Sequence, residues 1–410
     1  MAKSIVIIGA GQAATQAANS LRQYGFNGKI TMLGDEGIAP YQRPPLSKAY
    51  LMGEIEIARL KFRDDDQWER DGIDMRPNAG VANIDRAAKM VVTKSGEKIA
   101  YDNLIIATGS RVRKISCENS ELKGIHYLRT LAQSDALKAD LDKAKSIAII
   151  GAGYIGLEVA AIARKKGLSV TVIELAPRVL ARVATPIISQ YFENLHASHG
   201  VNIMTNCALK AFGGKDKVQR VLLEDGREIA ADVVLVGIGI VPNCEIAIDA
   251  GIICTNGIDV DENAGTNDAN IYACGDCTNR QLELYGIRMR LESVHNAIEQ
   301  AKLAAAHIMG AEPPKLDTPW FWSDQYDVKL QIAGLSNGAT QHIVRGNIAD
   351  NKFAVFHLND DNRILAVDAI NSPGEFLIGK KLVMGSAKIA PHIISNLDIS
   401  IKELAALAVE

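Results

Sequence analysis

Two glycine clusters, each directly after an apolar, β-branched run, are the residues whose spacing most clearly predicts chemistry. The first cluster contains Gly9, Gly11 and Ala14; the second contains Gly151, Gly153, Tyr154, Ile155 and Gly156. In such a loop the first glycine permits a tight turn, the second lets the backbone approach a pyrophosphate, and the third position must be small so that a helix packs on a strand. The N-terminus of that helix offers oriented N–H donors to phosphate oxygens. Two copies therefore predict two dinucleotide-binding sites.

An acidic residue follows the second strand that each glycine cluster predicts. Residues 29–33 lead into Asp35 and Glu36, and residues 169–173 lead into Glu174. A carboxylate at this position accepts hydrogen bonds from ribose hydroxyls and repels a 2′-phosphate. Glu174 therefore favours NADH over NADPH, while Arg178 and Arg182 close behind it leave NADPH open.

Three further apolar runs end in small residues, as strands of an open α/β sheet do where ligands bind. Residues 101–106 lead into Ala107, Thr108 and Gly109; residues 231–236 lead into Gly237 and Gly239; residues 271–274 lead into Gly275 and Asp276. Each run alone is ordinary in α/β proteins. Their order along the chain is what carries information.

The pattern predicts an α/β protein with two Rossmann-like dinucleotide-binding domains and a C-terminal α+β domain. The first domain is discontinuous, formed by residues 1–110 and 240–316, and the second covers residues 111–239. Residues 317–410 form the third, in which strands at 329–334, 353–358 and 364–370 precede helices at 376–384 and 400–407. A chain of 410 residues is long enough for two or three domains.

Composition excludes several classes of protein. The net charge is −3, so the chain has no overall basic field for binding nucleic acid. No run approaches the ~20 apolar residues that span a bilayer, and no export signal is visible at the N-terminus, so we expect no membrane partner and a cytoplasmic location. The 6 cysteines are scattered, which suits a reducing compartment.

Metal and disulfide chemistry are not expected. The 8 histidines are dispersed, and no Cys/His cluster has ligand spacing, so no metal site is predicted. Cys274 and Cys277 formally spell C-x-x-C, but Gly275 and Asp276 between them already belong to a ligand-binding motif. No cysteine precedes Cys117, so the early cysteine pair of disulfide reductases is absent from the sequence.

The motif order resembles the two-dinucleotide flavoprotein family that includes glutathione reductase. Three longer segments are similar to one branch, the oxygenase-coupled NADH:ferredoxin reductases to which putidaredoxin reductase and the biphenyl dioxygenase reductase belong. These are residues 40–48 (P-Y-Q-R-P-P-L-S-K), 290–297 (R-L-E-S-V-H-N-A) and 319–326 (P-W-F-W-S-D-Q-Y). The resemblance implies hydride transfer from NADH, with NADPH possible, to FAD. It further implies single-electron transfer to a [2Fe–2S] ferredoxin that serves a Rieske dioxygenase or haem monooxygenase in aromatic hydrocarbon catabolism.

The resemblance also implies residue roles. FAD would be bound by Gly9, Gly11, Ala14, Asp35, Glu36, Arg43, Lys48, Ala107, Thr108, Gly109, Arg129, Gly275, Asp276, Glu292, Ser293, Val294 and Trp320. The nicotinamide dinucleotide would be bound by Gly151, Gly153, Tyr154, Ile155, Gly156, Glu158, Glu174, Gly237 and Gly239. Three of these residues would be catalytic, namely Lys48, Glu158 and Trp320.

Each catalytic assignment has a plainer alternative. Lys48 would place a cation at the isoalloxazine, and its alternative is a solvated surface lysine. Glu158 would face the nicotinamide carboxamide and pair with Lys48 in the empty site; its alternative is an exposed helical glutamate. Trp320 would line the dimethylbenzene edge of the flavin, or simply belong to a core. His295 as an acid or base is not favoured, because hydride transfer needs no proton shuttle.

Other functions stay open at this point. The chain could be an NADH oxidase-type enzyme, or a signalling flavoprotein without a ferredoxin partner, like apoptosis-inducing factor. Residues 376–397 contain Lys380, Lys381, Lys388 and His392 and no acid, so they either dock an acidic ferredoxin or form a solubilising helix surface. The expected assembly is a monomer or a weak homodimer.

Overall fold

A computed structural model describes residues 3–407. In chain order the strands are β1 (Ser4–Ile8), β2 (Lys29–Leu33), β3 (Ile73–Arg76), β4 (Val81–Asp85), β5 (Met90–Thr93), β6 (Lys98–Ala100), β7 (Asn103–Ile106), β8 (Ser110–Val112), β9 (Ile125–His126), β10 (Ser146–Ile150), β11 (Ser169–Ile173), β12 (Val201–Met204), β13 (Leu209–Gly214), β14 (Val218–Leu223), β15 (Glu228–Ala230), β16 (Val233–Val236), β17 (Ile240–Pro242), β18 (Ile258–Val260), β19 (Ile271–Ala273), β20 (Thr278–Leu282), β21 (Ile287–Met289), β22 (Trp320–Gln325), β23 (Val328–Gly334), β24 (Gln341–Asn347), β25 (Lys352–Leu358) and β26 (Ile364–Ile370). The helices are α1 (Gln12–Gln23), α2 (Ala49–Met52), α3 (Asp65–Arg70), α4 (Leu131–Leu141), α5 (Tyr154–Lys165), α6 (Pro186–Ser198), α7 (Glu245–Asp249), α8 (Val294–Met309), α9 (Pro373–Met384), α10 (Pro391–Ser395) and α11 (Ile401–Ala406).

These elements form two compact units. The first unit comprises Met1–Gln42, Glu56–Arg111 and Ile240–Leu316, and the second comprises Arg43–Ile55, Val112–Gly239 and Asp317–Glu410. The segment Arg43–Ile55, which includes Lys48, thus belongs with the second unit. The division into three domains with the boundaries given above stays a prediction.

The first unit is built on a five-stranded sheet in the order β19-β7-β1-β2-β3. All neighbouring strands in it are parallel. The central strands β1 and β7 are apolar after their first residue because both faces of a parallel sheet are covered, while the edge strand β3 carries Asp74 and Arg76. Helices α1 and α8 cover one face with small residues, among them Ala14, Ala18, Ala301 and Ala304, which pack in one cluster. Strands β4, β5 and β6 form a separate antiparallel sheet.

The second unit repeats this design. Its parallel sheet has the order β12-β11-β10-β16-β9, with α5 connecting β10 to β11 as α1 connects β1 to β2. The register of β10 on β11 starts at Ser146 opposite Ser169, and that of β1 on β2 starts at Ser4 opposite Lys29. The two predicted βαβ halves are therefore present, and the predicted strands at 29–33 and 169–173 have those bounds.

The C-terminal part of the second unit is an antiparallel sheet in the order β22-β23-β26-β25-β24, followed by α9, α10 and α11. This confirms the predicted α+β segment, although α9 begins at Pro373 because proline suits the first helical position. Side chains alternate between the two faces of a strand. On β22, Trp320 and Trp322 therefore lie on one face, while Ser323 and Gln325 lie on the other.

Candidate functional site

The first glycine loop connects β1 to α1. Gly9 has a φ of +119°, and a Cβ there would stand 2.1 Å from the carbonyl oxygen of Ala107, so only glycine fits. Gly11 is the N-cap of α1. Within the described part of the chain, no atom lies within 4 Å of the place where a Cβ on Gly11 would stand. Ala14 is fully buried against the sheet. The backbone at Gly11 thus has open space beside it, as close approach of a pyrophosphate to the start of a helix requires.

The other small-residue motifs of the first unit are tied to each other by hydrogen bonds. The Thr108 hydroxyl donates to the carbonyl of Asn243 at 2.6 Å, and the Asn243 amide donates to the carbonyl of Thr108 at 3.0 Å. The Ser110 hydroxyl donates to the Asp276 carboxylate at 3.0 Å, at the carboxyl end of β19. The parallel topology therefore brings Ala107, Thr108, Gly109, Gly275 and Asp276 to the same edge of the sheet as the glycine loop.

The remaining candidates of the first unit lie after β2 and before α8. The Tyr41 hydroxyl donates to the Glu36 carboxylate at 2.6 Å, and Asp35 beside it is exposed. Ser293 is the N-cap of α8, where its hydroxyl accepts from the Asn296 N–H at 3.1 Å. Glu292 forms an ion pair with Arg290, and Val294 is the first residue of the helix. The 16-residue helix α8 thus begins directly after Glu292 and Ser293.

The second glycine loop connects β10 to α5 in the second unit. Gly153 is the N-cap of α5, with open space where its Cβ would stand, judged against the described residues. A Cβ on Gly156 would stand 2.2 Å from the carbonyl oxygen of Gly151, so the loop requires glycine there as well. Tyr154 and Ile155 begin the helix, and Gly237 donates its N–H to Ile150 at 2.8 Å. Gly239 follows with a φ of +100°.

Glu174 lies at the end of β11 and is held against this loop. Its Oε2 accepts from the backbone N–H of Ala152 at 2.6 Å, and its Oε1 accepts from Ala176 at 2.8 Å. The guanidinium of Arg178 donates to the carbonyls of Ala181 and Ala184 at 3.1 and 2.7 Å. The carboxylate therefore has the position predicted for a ribose-binding acid.

Lys48 is positioned by the docking of its own segment on α4. The 3₁₀ helix Pro44–Ser47 ends at Lys48, and the Ser134 hydroxyl donates to the carbonyl of Leu46 at 2.9 Å. The Tyr50 hydroxyl donates to the Asp135 carboxylate at 2.6 Å. At the start of this segment, Arg43 donates to the carbonyl of Arg129 at 2.9 Å. Hydrogen bonds on both sides of Lys48 in the sequence thus hold this segment against the second unit.

Lys48 and Glu158 form an ion pair, with Nζ 2.7 Å from Oε2. Their side chains are 18% and 2% exposed, so the alternatives of a solvated lysine and an exposed helical glutamate are both wrong. Glu158 lies on the second turn of α5, two residues after the glycine loop. The predicted pairing is present, and it is largely shielded from water, which strengthens the attraction between the two charges.

Two serines that the sequence analysis did not single out complete the surroundings of Glu158. The Ser47 hydroxyl donates to Oε2, and the Ser323 hydroxyl donates to Oε1 at 2.7 Å. Both serines lie inside the segments that carry the resemblance, 40–48 and 319–326. Their location in these segments was the only sequence feature that pointed to them. A single serine has no spacing pattern that could predict a partner more than 100 residues away.

Trp320 begins β22 on the face opposite to Ser323. Its ring lies 5.5 Å from Trp322 and 5.8 Å from Phe376, and the ammonium of Lys380 lies 5.7 Å from its centre. The side chain is half-buried, which differs from the simple core tryptophan considered above. Lys380 also pairs with Asp317. The flavin role of Trp320 stays a prediction.

Cys274 and Cys277, the C-x-x-C cysteines, are fully buried. None of the six cysteines forms a disulfide. Burial raises the pKa of Cys274 well above its ordinary value and that of Cys277 to about 11. Neither thiol is poised as a thiolate nucleophile. Among residues 3–407, no group of three or more His, Cys, Asp or Glu side chains is arranged to hold a metal ion, and no helix is long and apolar enough to cross a membrane.

The two glycine loops fit two dinucleotides. In each, a helix of 12 residues has a glycine as its N-cap, so no side chain occupies the helix N-terminus. Open space lies beside that glycine, and a carboxylate follows the neighbouring strand. The second unit adds an ion pair between the partly buried cation of Lys48 and the buried carboxylate of Glu158. This combination defines a dinucleotide-dependent oxidoreductase with two nucleotide sites.

Comparison with known proteins agrees with this class. The pyridine nucleotide-disulphide oxidoreductase family matches residues 3–301, and the reductase C-terminal family matches residues 320–405. The chain belongs to the pyridine nucleotide-disulphide oxidoreductase family. Its predicted fold class is confirmed.

Similar proteins match over nearly the whole chain. Rhodocoxin reductase of Rhodococcus erythropolis is 42% identical, in an alignment that covers 97% of this chain and 93% of the rhodocoxin reductase. Putidaredoxin reductase CamA of Pseudomonas putida is 39% identical, in an alignment that covers 99% of this chain and 97% of CamA. The crystal structure of the covalent putidaredoxin reductase–putidaredoxin complex superposes with a TM-score of 0.96 at 39% identity, covering 99% of both chains.

Proposed function

We propose that this chain is a ferredoxin reductase that accepts a hydride from NADH on FAD and passes single electrons to a [2Fe–2S] ferredoxin serving an oxygenase. Relatives that align with this chain over nearly their full length are ferredoxin reductases. They confirm the enzyme class, the use of FAD and NAD(P)H, and the ferredoxin partner. When bound, the flavin supplies the conversion of one hydride into two single electrons. The NADH oxidase alternative is not favoured by these relatives.

The observation that carries the site assignment is the buried Lys48–Glu158 pair beside the second glycine loop. A buried ion pair costs desolvation, so it is weak evidence for stability and a candidate for function. We propose that Glu158 accepts a hydrogen bond from the nicotinamide carboxamide. Lys48 would then supply the positive charge that favours reduced, anionic flavin.

The remaining cofactor residues divide between two nucleotides. We propose that the first unit holds FAD through the loop at Gly9 and Gly11, the Thr108 turn, and Asp276. The central segment of the second unit holds NADH through the loop at Gly153 and Gly156. The proposed preference for NADH rests on the fixed Glu174 carboxylate. Arg178, which donates to two backbone carbonyls, and Arg182 still leave NADPH open as a second coenzyme.

We propose that the exposed face of α9 and the segment after it dock the ferredoxin. Lys381, Lys388 and His392 are exposed there, with Leu377 and Met384 as exposed apolar neighbours. Basic residues around apolar ones suit an acidic partner, because charge steers the encounter and apolar contact stabilises it. Reversing Lys381 and Lys388 to Glu should slow ferredoxin-dependent turnover steeply at low salt and leave reduction of the flavin by NADH unchanged.

The function itself is tested by an anaerobic titration of the purified yellow protein with NADH, followed by a cytochrome c assay. We expect stoichiometric bleaching of the flavin band, and rapid cytochrome c reduction that requires added [2Fe–2S] ferredoxin. Equally rapid turnover without ferredoxin would contradict the proposal in favour of an oxidase. Flavin that NADH cannot reduce would contradict the enzyme assignment altogether.

We further propose that the protein works in the cytoplasm. All six cysteines are free thiols, which supports a reducing compartment. Fractionation of cells that produce the protein tests this, and recovery with the membranes or the periplasm would contradict it.

A further inference from the structure

A chain of buried polar side chains leads from Glu158 to helix α6. The Ser323 hydroxyl donates to Glu158 Oε1 at 2.7 Å, and the Gln325 amide Nε2 donates to the Ser323 oxygen at 3.1 Å. Gln325 Oε1 lies 2.7 Å from His196 Nε2, and the Tyr326 hydroxyl lies 3.3 Å from His196 Nδ1. Ser323, Gln325 and His196 are all at most 1% exposed.

The direction of every hydrogen bond in this chain follows from its chemistry. Because the Gln325 NH₂ group faces Ser323, its carbonyl oxygen faces His196, and His196 must carry its proton on Nε2. Nδ1 is then an acceptor, and it accepts a hydrogen bond from the Tyr326 hydroxyl. Burial lowers the pKa of His196 to about 4, so the ring is neutral at neutral pH and fills both roles. Every donor in the chain therefore points toward the Glu158 carboxylate.

The chain of hydrogen bonds ends on Oε1, the carboxylate oxygen of Glu158 that accepts fewer hydrogen bonds. A carboxylate offers about four lone-pair sites. Among the residues that the structure describes, Oε2 of Glu158 accepts from Ser47 and Lys48, and Oε1 accepts from Ser323 alone. One acceptor site thus remains, on the oxygen that Ser323 holds.

We propose that Gln325 and His196 are positioning residues, which hold Ser323 and thereby aim Oε1 of Glu158 at the amide N–H of the nicotinamide. The inference rests on the proposed role of Glu158. Neither residue touches the pair directly, and both lie on elements far apart in sequence, β22 and α6. The C-terminal segment would then take part in nicotinamide binding through the buried face of its first strand.

The test compares NAD⁺ with ADP-ribose, which lacks only the nicotinamide. Calorimetric titration of the oxidised, FAD-loaded protein gives the Kd of each ligand for the wild type and for Gln325→Met and His196→Phe. Both substitutions keep side-chain volume close to that of the wild type and break the donor chain. We expect the Kd of NAD⁺ to rise about tenfold, as losing one hydrogen bond to a charged group implies, with the Kd of ADP-ribose changed by less than about twofold.

Tyr191→Phe is the matched control. Tyr191 is buried on the same helix as His196, and its hydroxyl donates to Asn351 at 2.9 Å without joining the chain to Glu158. This substitution also removes one hydrogen bond of a buried side chain, in this case a partly buried bond, and we expect it to change neither Kd. Ser323→Thr, which keeps the hydroxyl, should retain NAD⁺ binding that Ser323→Ala loses; this pair keeps the test available if His196→Phe fails to fold.

Failure of the inference is separable from failure of the Glu158 assignment. If Gln325→Met and His196→Phe weaken both ligands equally, the chain is merely structural and the inference is overturned. If they change neither ligand while Glu158→Gln weakens NAD⁺ alone, Glu158 binds the nicotinamide without their help. If Glu158→Gln itself does not distinguish NAD⁺ from ADP-ribose, the proposed role of Glu158 falls, and the inference falls with it.

Discussion

The carboxylate of Glu174 accepts a hydrogen bond from the backbone N–H of Ala152 at 2.6 Å, which joins the end of β11 to the glycine loop after β10. A second bond from Ala176 at 2.8 Å fixes the other oxygen. An acid held by two backbone groups cannot swing away from a ligand at this loop. Its charge therefore bears directly on the choice between NADH and NADPH.

Glu174→Ala should raise the KM for NADH roughly tenfold and leave the KM for NADPH unchanged or lower, because it removes a ribose acceptor and a repulsive charge together. Steady-state kinetics with both coenzymes measures this. Asp232→Asn is the matched control, since Asp232 accepts the N–H groups of Lys145 and Ser146 at 2.8 and 3.0 Å at the opposite end of β10. An equal effect of Glu174→Ala on both coenzymes would remove the ribose assignment.

The Lys48–Glu158 pair should show strong energetic coupling. Removing one partner leaves a shielded charge uncompensated, so we expect Lys48→Met and Glu158→Gln each to lower the apparent free energy of unfolding by about 3 kcal/mol. The double variant should lose less than the sum of the two, by at least about 1 kcal/mol. Denaturant unfolding of the four proteins measures the coupling. Strict additivity would show that the pair contributes no mutual stabilisation.

His196 should make the protein sensitive to mild acid. Its pKa is lowered from 6.5 to about 4, mainly by burial, so between these values the unfolded chain binds a proton that the folded protein does not. The stability is then fully present above about pH 6.5 and falls by roughly 3 kcal/mol as the pH drops toward 4. The free energy of unfolding, measured across this pH range, should change less with pH for His196→Phe than for the wild type. Identical slopes would contradict the neutral, buried histidine.

The thiols of Cys274 and Cys277 should resist alkylation in the native protein. With a pKa of about 11, Cys277 is a thiolate in only about one molecule in a thousand at pH 8. Iodoacetamide labelling mapped by mass spectrometry should leave both residues unmodified until the chain is unfolded. Rapid labelling of either in the folded protein would revive a redox role for the C-x-x-C pair.

Local patterns were sufficient for the elements that bind nucleotides. The strands at Lys29–Leu33 and Ser169–Ile173 were predicted with their bounds, because each is a short run rich in apolar and β-branched residues that is followed by an acidic residue. The glycine positions followed from backbone chemistry that only glycine permits, as at Gly9. The helix α9 begins at Pro373, three residues before the predicted start at Phe376, because proline is compatible with the first turn of a helix.

What the sequence determined by itself is the set of short-range features: the two glycine loops, the acids after their strands, and the segments that carry the family resemblance. Tertiary structure alone decided the surroundings of Glu158. Ser47 and Ser323 reach it across 111 and 165 residues of chain, and His196 reaches Gln325 across 129. Periodicity and turn chemistry act over a few residues, so they cannot specify such pairs. These partners meet only because the segment before α2, the helix α5 and the strand β22 pack together, and burial then obliges each polar group to find a partner.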